Sequence, residues 1–242
     1  MKTCIATTTF STAFDLRAHM ALEMVKRAVA LGINVVVVDG GSHHELRSSL
    51  FDHGALLTDE KDCGMGPSRR QAINEAWNIV GPTGSVFWME PEKWPLVDQI
   101  FLMKTAMEKT GADIVVPARK SMESYPPIQQ AAERLGNMYF AKVTGHWLDV
   151  WVGPRLIGPR AIRHFLDYND DYGGKWDSIF IPIIRAIAAG LKVAGCDVNY
   201  VHPAEQTAAE EADPNMDLKR LKQLDNLVPS FYMEARKLGL LK

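Results

Sequence analysis

Cysteine, net charge and long apolar runs are all scarce in this sequence, and each shortage excludes a class of protein. Cys4, Cys63 and Cys196 are isolated and have no metal-ligand spacing, so we expect reduced thiols in a cytoplasmic protein. The formal net charge is −2, which gives no electrostatic reason to expect nucleic acid or a membrane surface as a partner. No apolar run reaches the roughly 18 residues of a transmembrane helix. The N-terminal residues also lack the apolar core of a secretory signal.

Short apolar runs rich in β-branched residues alternate with longer helical patterns along the 242 residues. We predict strands at Ile5–Thr9, Asn34–Val38, Ala55–Thr58, Ser85–Met89 and Ile114–Pro117, near Asp149–Val152, and at Lys192–Val201. We predict helices at Leu16–Leu31, Leu46–Phe51, Ser68–Val80, Leu96–Lys109, Ile128–Val143 and Ser178–Ala189, and at Asp217–Lys237 with an interruption at Pro229. This alternation predicts one α/β domain built on a parallel sheet with right-handed crossovers.

Ligands bind such sheets at the carboxyl ends of the strands, which directs attention to Thr8–Ser11, Asp39–Ser42 and Glu90–Lys93. Asp39 ends a buried strand, where a carboxylate accepts hydrogen bonds from a ribose or a base. The glycines that follow let a ligand approach the backbone closely. The alternative is a tight turn in which Asp39 caps the next helix.

Gly64–Arg70 superficially suggests a dinucleotide-binding loop, but Arg69 stands in the place of the final glycine and the preceding segment is charged. We therefore reject that interpretation. Two arginines after a glycine pair, at a helix start, suit contact with a diphosphate. The alternative is a pair of solvated arginines beside a turn.

Glu90 and Glu92 are carboxylates two residues apart at the end of a buried strand. Hard oxygen ligands in this arrangement suit Mg²⁺ or Mn²⁺ bridging a diphosphate. The alternative is an ordinary acidic turn started by Pro91.

Two later residues stand at the ends of predicted elements. Asp177 opens a helix after a glycine pair, so it is either a helix cap or a general base on a loop that closes over a substrate. His202 follows a predicted strand and precedes Ala204–Asp213, which the acidic, alanine-rich composition suggests is a mobile loop. A role for His202 with a metal or a phosphate is open, although a lone histidine is more often structural.

Taken in order, these segments resemble the GT-A glycosyltransferases, particularly the large inverting family typified by bacterial polysaccharide synthases. The resemblance covers most of residues 1–203 in pattern and order. It implies a three-layer α/β/α sandwich with a mostly parallel central sheet, formed as a single domain. Residues 1–120 would be the nucleotide-binding half and 121–203 the acceptor-binding half, followed by a mobile loop and C-terminal helix at 204–242.

The resemblance also implies a function, namely transfer of a sugar from a nucleoside diphosphate sugar to an acceptor hydroxyl with inversion, assisted by Mn²⁺ or Mg²⁺. The implied roles are donor nucleotide binding by Thr8, Thr9, Asp39 and Arg70, metal binding by Glu90, Glu92 and His202, general-base catalysis by Asp177, and acceptor binding by Trp176 and Arg155. The sugar, the base of the nucleotide, the acceptor and the oligomeric state stay open.

Two departures from the family pattern keep rival functions open. Glutamates replace the aspartates of the family's metal motif, and Trp176 stands where the family often has a second acid. The first rival is a non-catalytic relative that binds nucleotide sugars. The second is a sugar nucleotidyltransferase, which ranks lower because Thr8–Thr12 contains no glycine.

Overall fold

The computed structural model describes residues 1–241, and its central sheet is built from the apolar runs of the sequence. The side chains of Val35–Val38 are all buried, which requires cover on both faces of that strand. The strands are β1 (Thr3–Thr9), β2 (Asn34–Asp39), β3 (Leu56–Asp59), β4 (Ser85–Trp88), β5 (Ile114–Arg119), β6 (Arg155–Ile157) and β7 (Val193–Val198).

Within the described residues the strands form one sheet in the order β3-β2-β1-β4-β6-β5-β7. β6 is antiparallel to β4 and β5, whereas the other neighbouring pairs are parallel. The predicted mostly parallel sheet is therefore confirmed. The carboxyl ends of β1, β2 and β4 lie side by side at one edge, where parallel sheets bind ligands.

Helices connect the strands. They are α1 (Leu16–Ala30), α2 (His44–Asp52), α3 (Met65–Val80), α4 (Ile100–Thr110), α5 (Pro127–Thr144), α6 (Ile162–Leu166), α7 (Asp177–Ala188), α8 (Ala204–Ala212) and α9 (Met216–Lys237), with short 3-10 helices at Pro91–Gln99 and Val150–Val152. The chain runs from β1 to β3 in one direction and then crosses back to β4. Right-handed crossovers therefore place α1 and α2 on one face and α3 on the other.

The strand predicted near Asp149–Val152 was wrong. The structure has a 3-10 helix there, and the strand β6 begins at Arg155. Gly153 has a φ of 100°, a left-handed conformation that turns the chain, and Pro154 cannot donate to a strand ladder. The chain enters the sheet only after both residues.

The mobile loop predicted at Ala204–Asp213 was also wrong, because α8 is helical from Ala204 to Ala212. Alanine, glutamate and glutamine are strong helix formers, and Pro203 stands at the N-cap. Pro229 likewise does not interrupt α9, which continues to Lys237. None of the helices described through residue 241 has both the length and the apolar character needed to cross a membrane.

Candidate functional site

A cavity of about 640 Å³ opens at the edge of the sheet where β1, β2 and β4 end. Thr8 and Thr9 of β1 line it, together with Gly40 after β2 and Glu90 after β4. Side chains from α1, α3 and α9 complete the wall. The predicted ligand-binding edge of the sheet is therefore concave, as small-molecule sites generally are.

Asp39 lies beneath the cavity wall and does not line the cavity. Its side chain is buried and accepts hydrogen bonds from Thr9 Oγ1 (2.8 Å), the Ser42 backbone N–H (2.9 Å) and Arg47 (2.5 Å). Burial raises the pKa of Asp39, but these hydrogen bonds outweigh burial and hold the pKa below its ordinary value. The carboxylate therefore fixes the turn after β2, where Gly40 is the residue exposed to a ligand.

The glycine-containing segment at the start of α3 packs against the loop before α7. The backbone N–H of Gly66 donates to the Gly174 carbonyl at 2.7 Å, and a Cβ at position 66 would lie 2.4 Å from Asp170. Arg70 forms an ion pair with Asp170 and does not line the cavity. The structure thus places Arg70 in this packing contact rather than beside the donor cavity.

Arg69 lines the cavity instead, although the sequence analysis chose Arg70. Its side chain is 6% exposed and donates from Nη1 to the Lys175 carbonyl (2.8 Å) and to Ser178 Oγ (3.1 Å). Burial lowers its pKa, while the negative charges of Glu90 and Asp177 raise it. Helical periodicity carried the missing signal, because Arg69 shares the inward face of α3 with Ala72 and Ala76.

Glu90 and Glu92 both line the cavity, and only Glu92 of the two forms an ion pair within residues 1–241. Glu92 Oε1 lies 3.2 Å from Arg17 Nε. The Oε2 atom of Glu90 is buried without a hydrogen-bond partner, close to Gly153, where a Cβ would lie 2.5 Å away. The charge of Glu90 acts on Arg69 and Arg155.

His202 lies apart from this pair of carboxylates. Its side chain is fully buried, does not line the cavity, and bonds through Nδ1 to Thr207 Oγ1 at 2.7 Å. Burial, together with the positive charges of Lys93, Arg220 and Arg119, lowers the pKa of His202 to about 3. These positive charges also oppose the approach of a divalent ion to the ring.

The three predicted metal ligands do not fit a metal centre. Across residues 1–241 no group of three histidine, cysteine, aspartate or glutamate side chains has an arrangement that holds a metal ion. Glu92 is engaged by Arg17 and His202 is enclosed elsewhere, which leaves Glu90 Oε2 as an isolated acceptor. Mg²⁺ and Mn²⁺ require several oxygen ligands around one point.

Asp177 opens α7, but its carboxylate is enclosed and does not line the cavity. It accepts hydrogen bonds from the Tyr168 hydroxyl and from the backbone N–H groups of Gly174 (3.2 Å) and Lys175 (2.7 Å). Burial and the Asp177 charge raise the pKa of Tyr168. In this arrangement Asp177 anchors the loop before α7 rather than facing a substrate.

The two residues predicted to bind the acceptor lie in different places. Trp176 is partly buried and lines the cavity. Arg155 is fully buried in β6 and donates to the carbonyl groups of Ile179 and Val150. Burial lowers the pKa of Arg155 to about 9, against the opposing charge of Glu90. Only Trp176 is in a position to contact a molecule in the cavity.

Basic residues of two helices complete the cavity wall, and the sequence analysis missed them. Arg17 belongs to α1, and Lys219 and Arg220 belong to α9. Burial and the positive charges of Arg17 and Arg220 lower the pKa of Lys219. No local pattern marks these residues, because α9 reaches the cavity only through the tertiary fold.

Solved structures of glucosyl-3-phosphoglycerate synthase from Mycobacterium tuberculosis share this fold. The complex with Mn²⁺, UDP and phosphoglyceric acid matches with a TM-score of 0.58 and 11% identity, over 93% of this chain and 78% of that chain. The complex with phosphoglyceric acid gives 0.60 and 11%, over 90% and 79%. The complex with Mg²⁺ and UDP gives 0.58 and 10%, over 93% and 79%.

No family model and no curated protein sequence matches the chain. At 10–11% identity the structural likeness shows the fold and not the substrates. The chain has the GT-A glycosyltransferase fold in a divergent form. This follows from its mixed sheet with helices, from the order of the strands, and from the structural similarity to these synthases.

Proposed function

We propose that this protein binds a nucleoside diphosphate sugar in the cavity and transfers the sugar to an acceptor hydroxyl. The observation that carries the proposal is the position of the cavity at the carboxyl ends of β1, β2 and β4 in a GT-A fold. The solved complexes of the structural neighbours contain UDP, UDP-glucose and phosphoglyceric acid. These ligands support a sugar-nucleotide donor here without fixing the nucleotide, the sugar or the acceptor.

In this proposal Thr8 and Thr9 face the nucleoside, since both line the cavity where β1 ends. Asp39 acts indirectly, by holding Thr9 and the turn that presents Gly40. Trp176 offers an aromatic face to the acceptor or to the transferred sugar. We assign no substrate contact to Arg70 or Arg155, because both are engaged away from the cavity.

The general-base role of Asp177, and inversion at the anomeric carbon, stay predictions. Asp177 reaches an acceptor hydroxyl only if the loop at residues 173–175 releases its carboxylate. A base within hydrogen-bond distance of the attacking hydroxyl contributes roughly 10²–10⁴-fold in rate.

We derive no step through a divalent ion. The neighbours were crystallised with Mn²⁺ or Mg²⁺. In this chain, however, Glu90, Glu92 and His202 do not converge on one point. The prediction of Mn²⁺ or Mg²⁺ therefore rests on the family resemblance and on the ions in these neighbours.

The test is release of nucleoside diphosphate from UDP-, GDP-, ADP- and CDP-linked sugars, measured with a panel of hydroxyl acceptors, each with and without Mn²⁺. We expect release from one nucleotide class, and loss of release in Thr8→Phe, which fills the nucleoside end of the cavity. Thr105→Phe, at an exposed position of α4 outside the cavity, is the matched control. Equal release by both variants would contradict the proposed site.

A second candidate, favoured by the enclosure of Asp177, is binding of a nucleotide sugar without turnover. Both candidates predict donor binding in the cavity. Binding by wild-type protein with no nucleoside diphosphate released from any donor would select the binding module over the enzyme.

A further inference from the structure

The cavity lining holds five basic and five acidic side chains, and one group of these charges lies around Glu92. Arg17, Lys219 and Arg220 contribute three cations, and their nearest counter-charges are Glu92 and Glu210. Arg17 Nε lies 3.2 Å from Glu92, and Arg220 Nη2 lies 3.6 Å from Glu210. Two of the three cations thus have an ion-pair partner.

Lys219 is the third cation of this group. Among residues 1–241 its ammonium group has no hydrogen-bond acceptor and no ion-pair partner. Burial, and after it the charges of Arg17 and Arg220, lower its pKa, against the opposing charges of Glu92 and Glu210. An ammonium group that lines a cavity without an ion-pair partner is a group that an anion would stabilise.

Arg69 supplies a second, independent observation inside the cavity. Its guanidinium is more than nine-tenths buried, yet within residues 1–241 no carboxylate lies at ion-pair distance and its Nε atom has no partner. A buried charge without a counter-ion is costly, and a planar guanidinium matches the oxygens of a phosphate group. The unpartnered Nε belongs to a side chain that lines the same cavity as Lys219.

We propose that Arg69, Arg17 and Lys219 neutralise the diphosphate of the donor in place of a divalent ion. The inference rests on the proposed function. It starts from the observation that Glu90, Glu92 and His202 do not form a metal site within residues 1–241. Fixed cations aimed at phosphate oxygens stabilise the negative charge that develops on a departing diphosphate. In this arrangement neither carboxylate binds a metal. Glu92 orients Arg17, and the charge of Glu90 acts on Arg69.

The experiment is calorimetric titration of the full chain with UDP, GDP, ADP and CDP and with inorganic pyrophosphate, in EDTA and again in Mn²⁺. We expect one nucleotide and pyrophosphate to bind in EDTA, with a dissociation constant that Mn²⁺ changes less than about 3-fold. Lys219→Ala and Arg17→Ala should each weaken binding about 10-fold or more, as expected for loss of a charge-assisted hydrogen bond. Lys222→Ala, an exposed lysine of α9 outside the cavity, should bind like wild type.

The outcomes separate this inference from the proposed function. Nucleotide binding that requires Mn²⁺, or that survives in Lys219→Ala and Arg17→Ala, would overturn the inference and leave the proposed function standing. If no nucleotide binds under either condition, the proposed function fails. In that case pyrophosphate tests the anion site by itself. Binding of pyrophosphate in EDTA by wild type, with no binding by Lys219→Ala, would support the anion site, and any other result would overturn it.

Discussion

Ionisable side chains around the cavity fall into two groups. The first are carboxylates that accept several hydrogen bonds, and the second are cations without an ion-pair partner among residues 1–241. Asp39 and Asp177 each accept several hydrogen bonds, so they stabilise the turns that shape the cavity wall. Arg69 and Lys219 have no counter-ion in contact, so they remain available to an anionic ligand. What distinguishes a binding side chain from a structural one here is whether its charge lacks a counter-ion, and not the residue type.

Asp177→Asn should destabilise the fold by about 1–3 kcal/mol. The asparagine keeps one acceptor oxygen, but its amide nitrogen cannot accept from the Tyr168 hydroxyl or a backbone N–H. Urea unfolding followed by circular dichroism measures the change. Asp167→Asn, at an exposed carboxylate after α6, is the control and should change stability by less than about 0.5 kcal/mol. A wild-type midpoint in Asp177→Asn would contradict the anchoring role.

His202 should make the protein lose stability as the pH falls below about 6.5. Its folded-state pKa of about 3 lies below the value of about 6.5 expected in the unfolded chain. The unfolded state therefore takes up the proton first, and stability is complete above pH 6.5 and declines toward pH 3. Lys93, Arg119 and Arg220 oppose protonation of the ring, and Glu210, 3.9 Å from Nε2, is the nearest acid.

The measurement is the free energy of unfolding in urea at several pH values between 7 and 4. Wild type should lose at most about 1.4 kcal/mol per pH unit from this group. His202→Gln should show a shallower dependence, whereas His53→Gln, at an exposed position, should keep the wild-type slope. A slope in His202→Gln as steep as that of wild type would refute the buried, neutral histidine.

At the scale of elements, the secondary structures that depend on local sequence were predictable and those that depend on the tertiary fold were not. The apolar run at Val35–Val38 identifies β2 because only a strand covered on both faces buries every residue. β6 has only three residues and lies between β4 and β5 in the sheet. Its pairing depends on strands distant in sequence, so no local pattern predicts it. α8 was misread because its acidic composition was given more weight than its helix propensity.

The candidate site follows the same division. Thr8, Thr9 and Glu90, which the sequence places at strand ends, line one cavity. The direction of a side chain was harder to predict, because Tyr168 and the loop before α7 turn Asp177 away from the cavity through tertiary contacts. Strand-end position locates the region of a site, and partners distant in sequence decide which side chains face it.

α8 should exchange its backbone amide hydrogens much faster than α7 does. No residue of α8 is buried, whereas most of α7 is, so α8 can open without exposing the core. Gln206 and Glu210 of α8 line the cavity, so a bound donor should slow the exchange. Hydrogen-exchange mass spectrometry on the full chain measures both effects. Protection of α8 equal to that of α7 in the free protein would contradict this description.

At the scale of the whole molecule, the fold places the cavity at the ends of three neighbouring strands. The sheet order brings the ends of β1, β2 and β4 together, and α1, α3 and α9 add basic side chains around the space between them. The same GT-A fold occurs in synthases whose solved complexes contain UDP. We therefore propose that a nucleoside diphosphate sugar binds in this cavity.

Direct titration of wild type and Thr8→Phe with UDP-, GDP-, ADP- and CDP-linked sugars, by calorimetry, tests that claim most directly. Wild type should bind sugars linked to one of these nucleotides, and Thr8→Phe, folded to the same Tm within a few degrees, should not bind them. Wild-type protein that binds none of the four, with or without Mn²⁺, would contradict the account. A sugar nucleotide that binds equally well to Thr8→Phe would place the donor outside this cavity and contradict it as well.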